Sequence, residues 1–125
     1  MSKFSWREAS DPRAKAFVEA RTEGLPLPTY PGAKPTSIAA AYAIQDEAIR
    51  AFPDTISGWK VGGINGDWRD RLGVNRLFGP VFASCTHEYS GASLDMPVFQ
   101  SGFAAVECEV TATIGTSVPA GKIRF

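Results

Sequence analysis

Three prolines within eight residues, in Leu25-Pro26-Leu27-Pro28-Thr29-Tyr30-Pro31-Gly32, rule out regular structure in that stretch. Each proline fixes its own φ, lacks an N–H and restrains the residue before it, so the segment runs as a stiff extended connector. Upstream, Asp11-Pro12 reads as an N-cap and first helical residue, predicting a helix through Arg21 that ends at Glu23-Gly24. Downstream, Thr36 or Ser37 caps a second helix, in which Ile38, Ala41, Tyr42, Gln45, Ala48 and Ile49 keep a three-to-four spacing until Pro53 stops it.

Beyond Pro53 the pattern turns to strands. Ile56 to Ile64 reads as a strand broken by Gly62-Gly63. A polar, turn-rich stretch follows from Asn65 to Arg71, then Leu72-Gly73-Val74, then a short strand around Pro80-Val81-Phe82. Ser90-Gly91-Ala92 is a turn, Asp95-Met96-Pro97 starts another extended piece, and Ala104 to Ile114 reads as the last strand. The predicted order is α-α-β-β-β, an α+β arrangement without alternating βαβ units.

A length of 125 residues fits one domain. Lys plus Arg and Asp plus Glu are balanced at 13 each, which gives no electrostatic basis for nucleic acid or an anionic membrane surface. The longest apolar stretch is far short of a membrane span. The opening Met-Ser-Lys-Phe-Ser-Trp-Arg-Glu lacks the apolar core of a secretion signal. The two cysteines, Cys85 and Cys108, have no paired spacing, so neither a disulfide scaffold nor a zinc ribbon is expected. The expected setting is cytoplasmic.

Glu107-Cys108-Glu109 places two carboxylates one residue apart inside the apolar run Ala104 to Ile114. On a strand both would share one face, opposite Val106, Cys108, Val110 and Ala112, with their Cα atoms roughly 6.5–7 Å apart. Two like charges leaving a buried strand need neutralising. A hard divalent cation, Mg²⁺ or Mn²⁺, does this with oxygen ligands and keeps positions open for substrate. The alternative is a solvated strand face. Cys108, facing away, is expected to pack in the core.

Lys60 stands in the middle of an apolar strand, in Gly58-Trp59-Lys60-Val61-Gly62-Gly63. Glycines there let a ligand or another backbone approach closely. The lysine either snorkels to water or is held over a pocket for an anionic substrate. Trp59 reads as a packing aromatic. Gly73-Val74-Asn75-Arg76-Leu77-Phe78-Gly79-Pro80 can line the same cleft, with Arg76 either pairing a carboxylate or lying on the surface. His87 is the only histidine and no serine sits in a nucleophile elbow, so a hydrolase triad is not supported. Gly62-Gly63-Ile64-Asn65-Gly66 has the wrong spacing for a dinucleotide fingerprint.

Taken in order, Ala40-Ala41-Tyr42-Ala43-Ile44-Gln45, Gly58-Trp59-Lys60-Val61-Gly62, Leu72-Gly73-Val74, Phe78-Gly79 and Val106-Glu107-Cys108-Glu109-Val110 resemble the 2-keto-4-pentenoate hydratase and 4-oxalocrotonate decarboxylase branch of the fumarylacetoacetate hydrolase superfamily. The resemblance runs from about Ser37 to Ile114. It implies two N-terminal helices followed by a mostly antiparallel rolled β-sheet, incomplete at the C-terminus. Residues 1–35 would then be a helix and proline-rich connector, and residues 36–125 a partial catalytic domain. It further implies Mg²⁺ or Mn²⁺ on Glu107 and Glu109 plus a third acidic ligand, a 2-oxo acid substrate bound at Lys60 and Gly79, and a homo-oligomer.

Two departures stand out. No acidic residue follows Glu109, and Lys122-Ile123-Arg124-Phe125 looks like the start of a further strand, both of which suggest an N-terminal portion of a longer enzyme. In hydratases of this branch an Asp often stands two positions before the glycine matching Gly79; here that position is Leu77. The resemblance points first to a hydro-lyase acting on a 2-hydroxydienoate or 2-oxo-enoate in aromatic catabolism, with Lys60 as catalytic residue. Decarboxylation and C–C hydrolysis are the chemical alternatives. An inactive fragment, a partner subunit and a metal-free binder are the non-enzymatic ones.

Overall fold

In the computed structural model, which describes residues 9–117 and 119–121, the chain runs α1 (Pro12–Glu23), α2 (Ile38–Ala51), β1 (Ile56–Gly63), α3 (Asp67–Leu72), β2 (Arg76–Phe82) and a 3₁₀ turn (Ala83–Cys85). The class is α+β, with a two-stranded antiparallel sheet. The opening stretch read for a secretion signal and the closing Lys122–Phe125 alternation lie outside the described residues.

Both N-terminal helices follow their capping chemistry. The Asp11 carboxylate accepts the Arg13 N–H at 2.8 Å, and Gly24 ends α1 at φ 68°, the left-handed turn that lets Leu25 N–H reach Ala20 O at 2.9 Å. Ser37, not Thr36, caps α2, its Oγ accepting the Ala40 N–H at 3.1 Å. The helices are tied where α1 begins. Glu47 of α2 accepts the Asp11 N–H at 2.7 Å and the Ser10 hydroxyl at 2.9 Å. The proline connector folds back on α1, with Tyr30 edge-on to Phe17 at 5.6 Å and the Arg13 guanidinium donating to Ala33 O at 3.0 Å.

β1 and β2 pair with Trp59 opposite Pro80, Lys60 opposite Gly79 and Val61 opposite Phe78, after an irregularity between Ile56 and Gly58. β1 continues through Gly62 and Gly63 rather than breaking there. The outer edge of β2 is closed by α2: Phe78 N–H donates to the Tyr42 hydroxyl at 3.1 Å, and the Gln45 amide donates to Phe78 O at 3.2 Å. An open strand edge is an aggregation template, and here two side chains of one helix face occupy it. The Tyr42 and Phe78 rings stack above these bonds, 5.4 Å between centroids.

Three expectations are corrected. Asp67–Leu72 forms α3 where a turn-rich loop was expected, making the order α-α-β-α-β. This helix buries nothing. It is specified by acidic residues in its first turn (Asp67, Asp70), basic ones in its last (Arg69, Arg71) and glycines at both ends, so no apolar period announces it. Second, neither Ala104 to Ile114 nor the piece opening at Asp95-Met96-Pro97 forms a strand. Among the described residues no ladder reaches the first run, and Val106 and Val110, expected in the core, are 99% and 100% exposed. Cys108 is exposed as well. Third, Trp59 is half exposed rather than a packing aromatic.

The buried core is small: Ala14 of α1, Ile44 of α2 and Phe82 at the end of β2, with Phe52 against Phe82 at 4.3 Å. Accessible surface totals 10808 Å². A compact monomer of 13.4 kDa exposes about 6,500 Å². Large apolar side chains from Tyr89 to Ile114 are among those left exposed. Among the described residues, no helix is long and apolar enough to cross a membrane.

Candidate functional site

The alternation of β1 sends Lys60 to the face opposite Trp59 and Val61, with Gly58 and Gly62 as its same-face neighbours. Gly79 is directly across the ladder. Three positions around the lysine stem therefore lack side chains. A Cβ on Gly58 or Gly79 would meet nothing within 4 Å, and one on Gly62 would meet only the Leu77 carbonyl oxygen at 4.0 Å. The lysine stands clear of neighbours on the sheet.

Its partners come from more than forty residues along the chain, Glu107 being 47 positions on. The Lys60 ammonium donates to Glu107 Oε2 at 2.6 Å and lies 2.8 Å from Glu109 Oε1. The two acids converge on one point from the same side of their segment, as the spacing predicts, although that segment is not a ladder strand. What neutralises them in this structure is the lysine. Sequence reasoning named all three residues but not their contact, because no sequence pattern sets the approach of residues so far apart. The one available signal was opposite charge: a lysine in an apolar strand and two glutamates in an apolar run.

The charges reinforce one another. The hydrogen bonds that Lys60 donates to Glu107 and then to Glu109 raise its pKa above the ordinary value, and the bond to Glu107 lowers the pKa of that carboxylate. The amine stays protonated across the physiological range. All three side chains are about half exposed or more, so the cluster is open to solvent and to solutes.

The donor set suits a hard cation. Two carboxylate oxygens already meet one positively charged group, and Mg²⁺ is commonly held by one or two carboxylates with water and substrate oxygens completing its shell. Among the described residues no group of three His, Cys, Asp or Glu side chains converges. A cation on Glu107 and Glu109 would take the position Lys60 now fills.

Arg76 lies away from this cluster, on the surface, donating to its neighbour Asn75 O at 3.1 Å. Gly79 is the ladder partner of Lys60. Comparison with protein-family models, with curated proteins and with solved structures gives no match to this chain.

Proposed function

We propose that this chain carries the 2-oxo acid site of a metal-dependent hydro-lyase acting on a 2-hydroxydienoate or 2-oxo-enoate, with homo-oligomeric assembly. The observation that supports it most directly is the convergence of Lys60, Glu107 and Glu109, three residues far apart in sequence, over a glycine-cleared patch of sheet. The ordered motifs resembling the 2-keto-4-pentenoate hydratase branch supply the reaction class.

In this reading Glu107 and Glu109 would hold Mg²⁺ or Mn²⁺, which when bound supplies Lewis-acid polarisation of the oxo-carboxylate. Lys60, released from the carboxylates, presents its ammonium to the substrate's carboxylate and oxo oxygens, where negative charge grows as the enol form develops. Gly79, opposite Lys60, leaves its backbone open to the substrate's flat face. Hydration, decarboxylation and C–C hydrolysis all use a chelated oxo acid beside a cationic group; the motif set favours hydration.

The test is Mn²⁺ binding to the chain, followed by its electron paramagnetic resonance, with and without 2-oxo-3-pentenoate. Expected is a ternary complex that Glu107→Gln and Glu109→Gln each weaken at least tenfold. No Mn²⁺ binding at millimolar concentration, or binding indifferent to both substitutions, would defeat the proposal.

A second reading has its own support. An accessible surface of 10808 Å², with apolar side chains bare from Tyr89 to Ile114, suits a chain that functions only as a subunit with a partner. It predicts negligible turnover of a 2-hydroxydienoate by the 125-residue chain alone, and recovery when the partner is added.

A further inference from the structure

Away from the Lys60 cluster, α1, α2 and the end of β2 enclose an open cavity of about 640 Å³, within the range that holds small ligands. Its walls are mostly apolar: Phe17 and Leu25 from α1 and the connector, Ile44 and Ile49 from α2, Phe82 from β2 and Phe103 from the segment beyond. One cation lines it. The Arg21 guanidinium lies 5.3 Å from the Phe52 ring centre and 5.1 Å from that of Phe82.

Arg21 is short of acceptors. Among the described residues its one hydrogen bond is a long contact to Cys85 Sγ at 3.9 Å, and no carboxylate of those residues forms an ion pair with it. Asp54 is the acidic group near enough to feel it, but the Asp54 oxygens are already taken, one by Ser84 N–H at 2.9 Å and the other by Thr55 N–H at 2.7 Å. The other polar side chains on the wall are neutral: Gln45, whose amide N–H donates to Phe78 O, and Tyr30. An apolar chamber whose one charged group is a guanidinium matches a molecule with an apolar tail and one anionic head.

We propose that this cavity binds an amphipathic monocarboxylate, a medium-chain fatty acid being the simplest, with its tail between α1 and α2 and its carboxylate on Arg21. The site is separate from the oxo-acid cluster and stands or falls independently of it. Arg21 keeps its ring contacts while its outward N–H groups take up the carboxylate. Each methylene buried in the cavity adds up to about fourfold in affinity.

The experiment is calorimetric titration of the metal-free chain with hexanoate, octanoate and decanoate, each below its micellar concentration, and with decanol. Expected are saturable one-to-one binding, affinity rising two- to fourfold per methylene, and a loss of at least tenfold for decanoate in Arg21→Gln. Decanol binding unchanged in that variant shows that the cavity is still formed. Absence of saturable binding or indifference to Arg21→Gln overturns the proposal. So does a dimer that decanoate fails to dissociate, which would assign the cavity to a second copy of the chain.

Discussion

The Tyr42 hydroxyl accepts the N–H of Phe78 at 3.1 Å while the two rings stack at 5.4 Å, so a single helix residue both closes the free edge of β2 and packs on it. Tyr42→Phe keeps the ring and removes the acceptor. It should lower stability by about 0.5–1.5 kcal/mol. The Phe78 amide should also exchange with solvent faster than its neighbours in β2. Urea denaturation and amide hydrogen exchange read both, and an unchanged Phe78 exchange rate would show the bond to be incidental.

Acid should weaken the junction of α1 and α2. Arg13 hydrogen-bonding lowers the Asp11 pKa from 3.8 to about 2, and the Asp11 and Ser10 donors lower that of Glu47. Both are depressed carboxylates, so their contribution is present above the unfolded pKa and is lost as pH falls through the folded one. Helicity followed by circular dichroism should decline between about pH 4 and pH 2. Asp11→Asn retains a capping side chain and should flatten that decline. A profile identical to wild type would remove Asp11 from the account.

Charge removal at the cluster separates two roles. Glu107→Gln takes away the shorter of the Lys60 contacts, at 2.6 Å, and should bring the Lys60 pKa down toward its ordinary value. Nuclear magnetic resonance titration of the Lys60 side chain measures this directly. An unshifted titration would mean that the contact does not persist in solution.

Lys60→Met deletes the ammonium and keeps much of the stem. With the competing cation gone, Mn²⁺ affinity at Glu107 and Glu109 should rise several-fold, while binding of 2-oxo-3-pentenoate to the Mn²⁺-loaded chain should fall at least tenfold. Equal losses of metal and oxo acid would assign Lys60 a structural role instead.

The α2 cap offers a local stability check. Ser37→Ala leaves the Ala40 N–H without its side-chain acceptor and should cost about 1 kcal/mol, read as a lower urea midpoint. Thr36→Ala should change little, because Ser37 is the residue bonded.

How far the sequence carried depended on whether a local rule decided the outcome. α1 and α2 were legible to within a residue or two because Asp11-Pro12, Gly24, Ser37 and Pro53 are punctuation that acts within one turn. β1 was legible from its composition. α3 was not, since Asp67 to Leu72 is too short to show a period and buries none of its residues, and is marked only by its charges and flanking glycines. Ala104 to Ile114 misled for the opposite reason. Its alternation has strand character, but a ladder needs a neighbour, and among the described residues this run pairs with none. At the site, Glu107 and Glu109 both reach Lys60, though not from the ladder strand on which their period-two spacing was read. Their direct partnership with Lys60 was out of reach because it is a tertiary fact.

The tether between Lys60 and the glutamates has a practical corollary. Charge attraction between half-exposed groups fades as the Debye length shrinks from about 10 Å at 0.1 M salt to about 3 Å at 1 M. Ionic strength is therefore a dial on how closely the Phe103–Ile114 stretch is kept against the sheet, and a protease that cuts after bulky apolar residues should nick there first in strong brine.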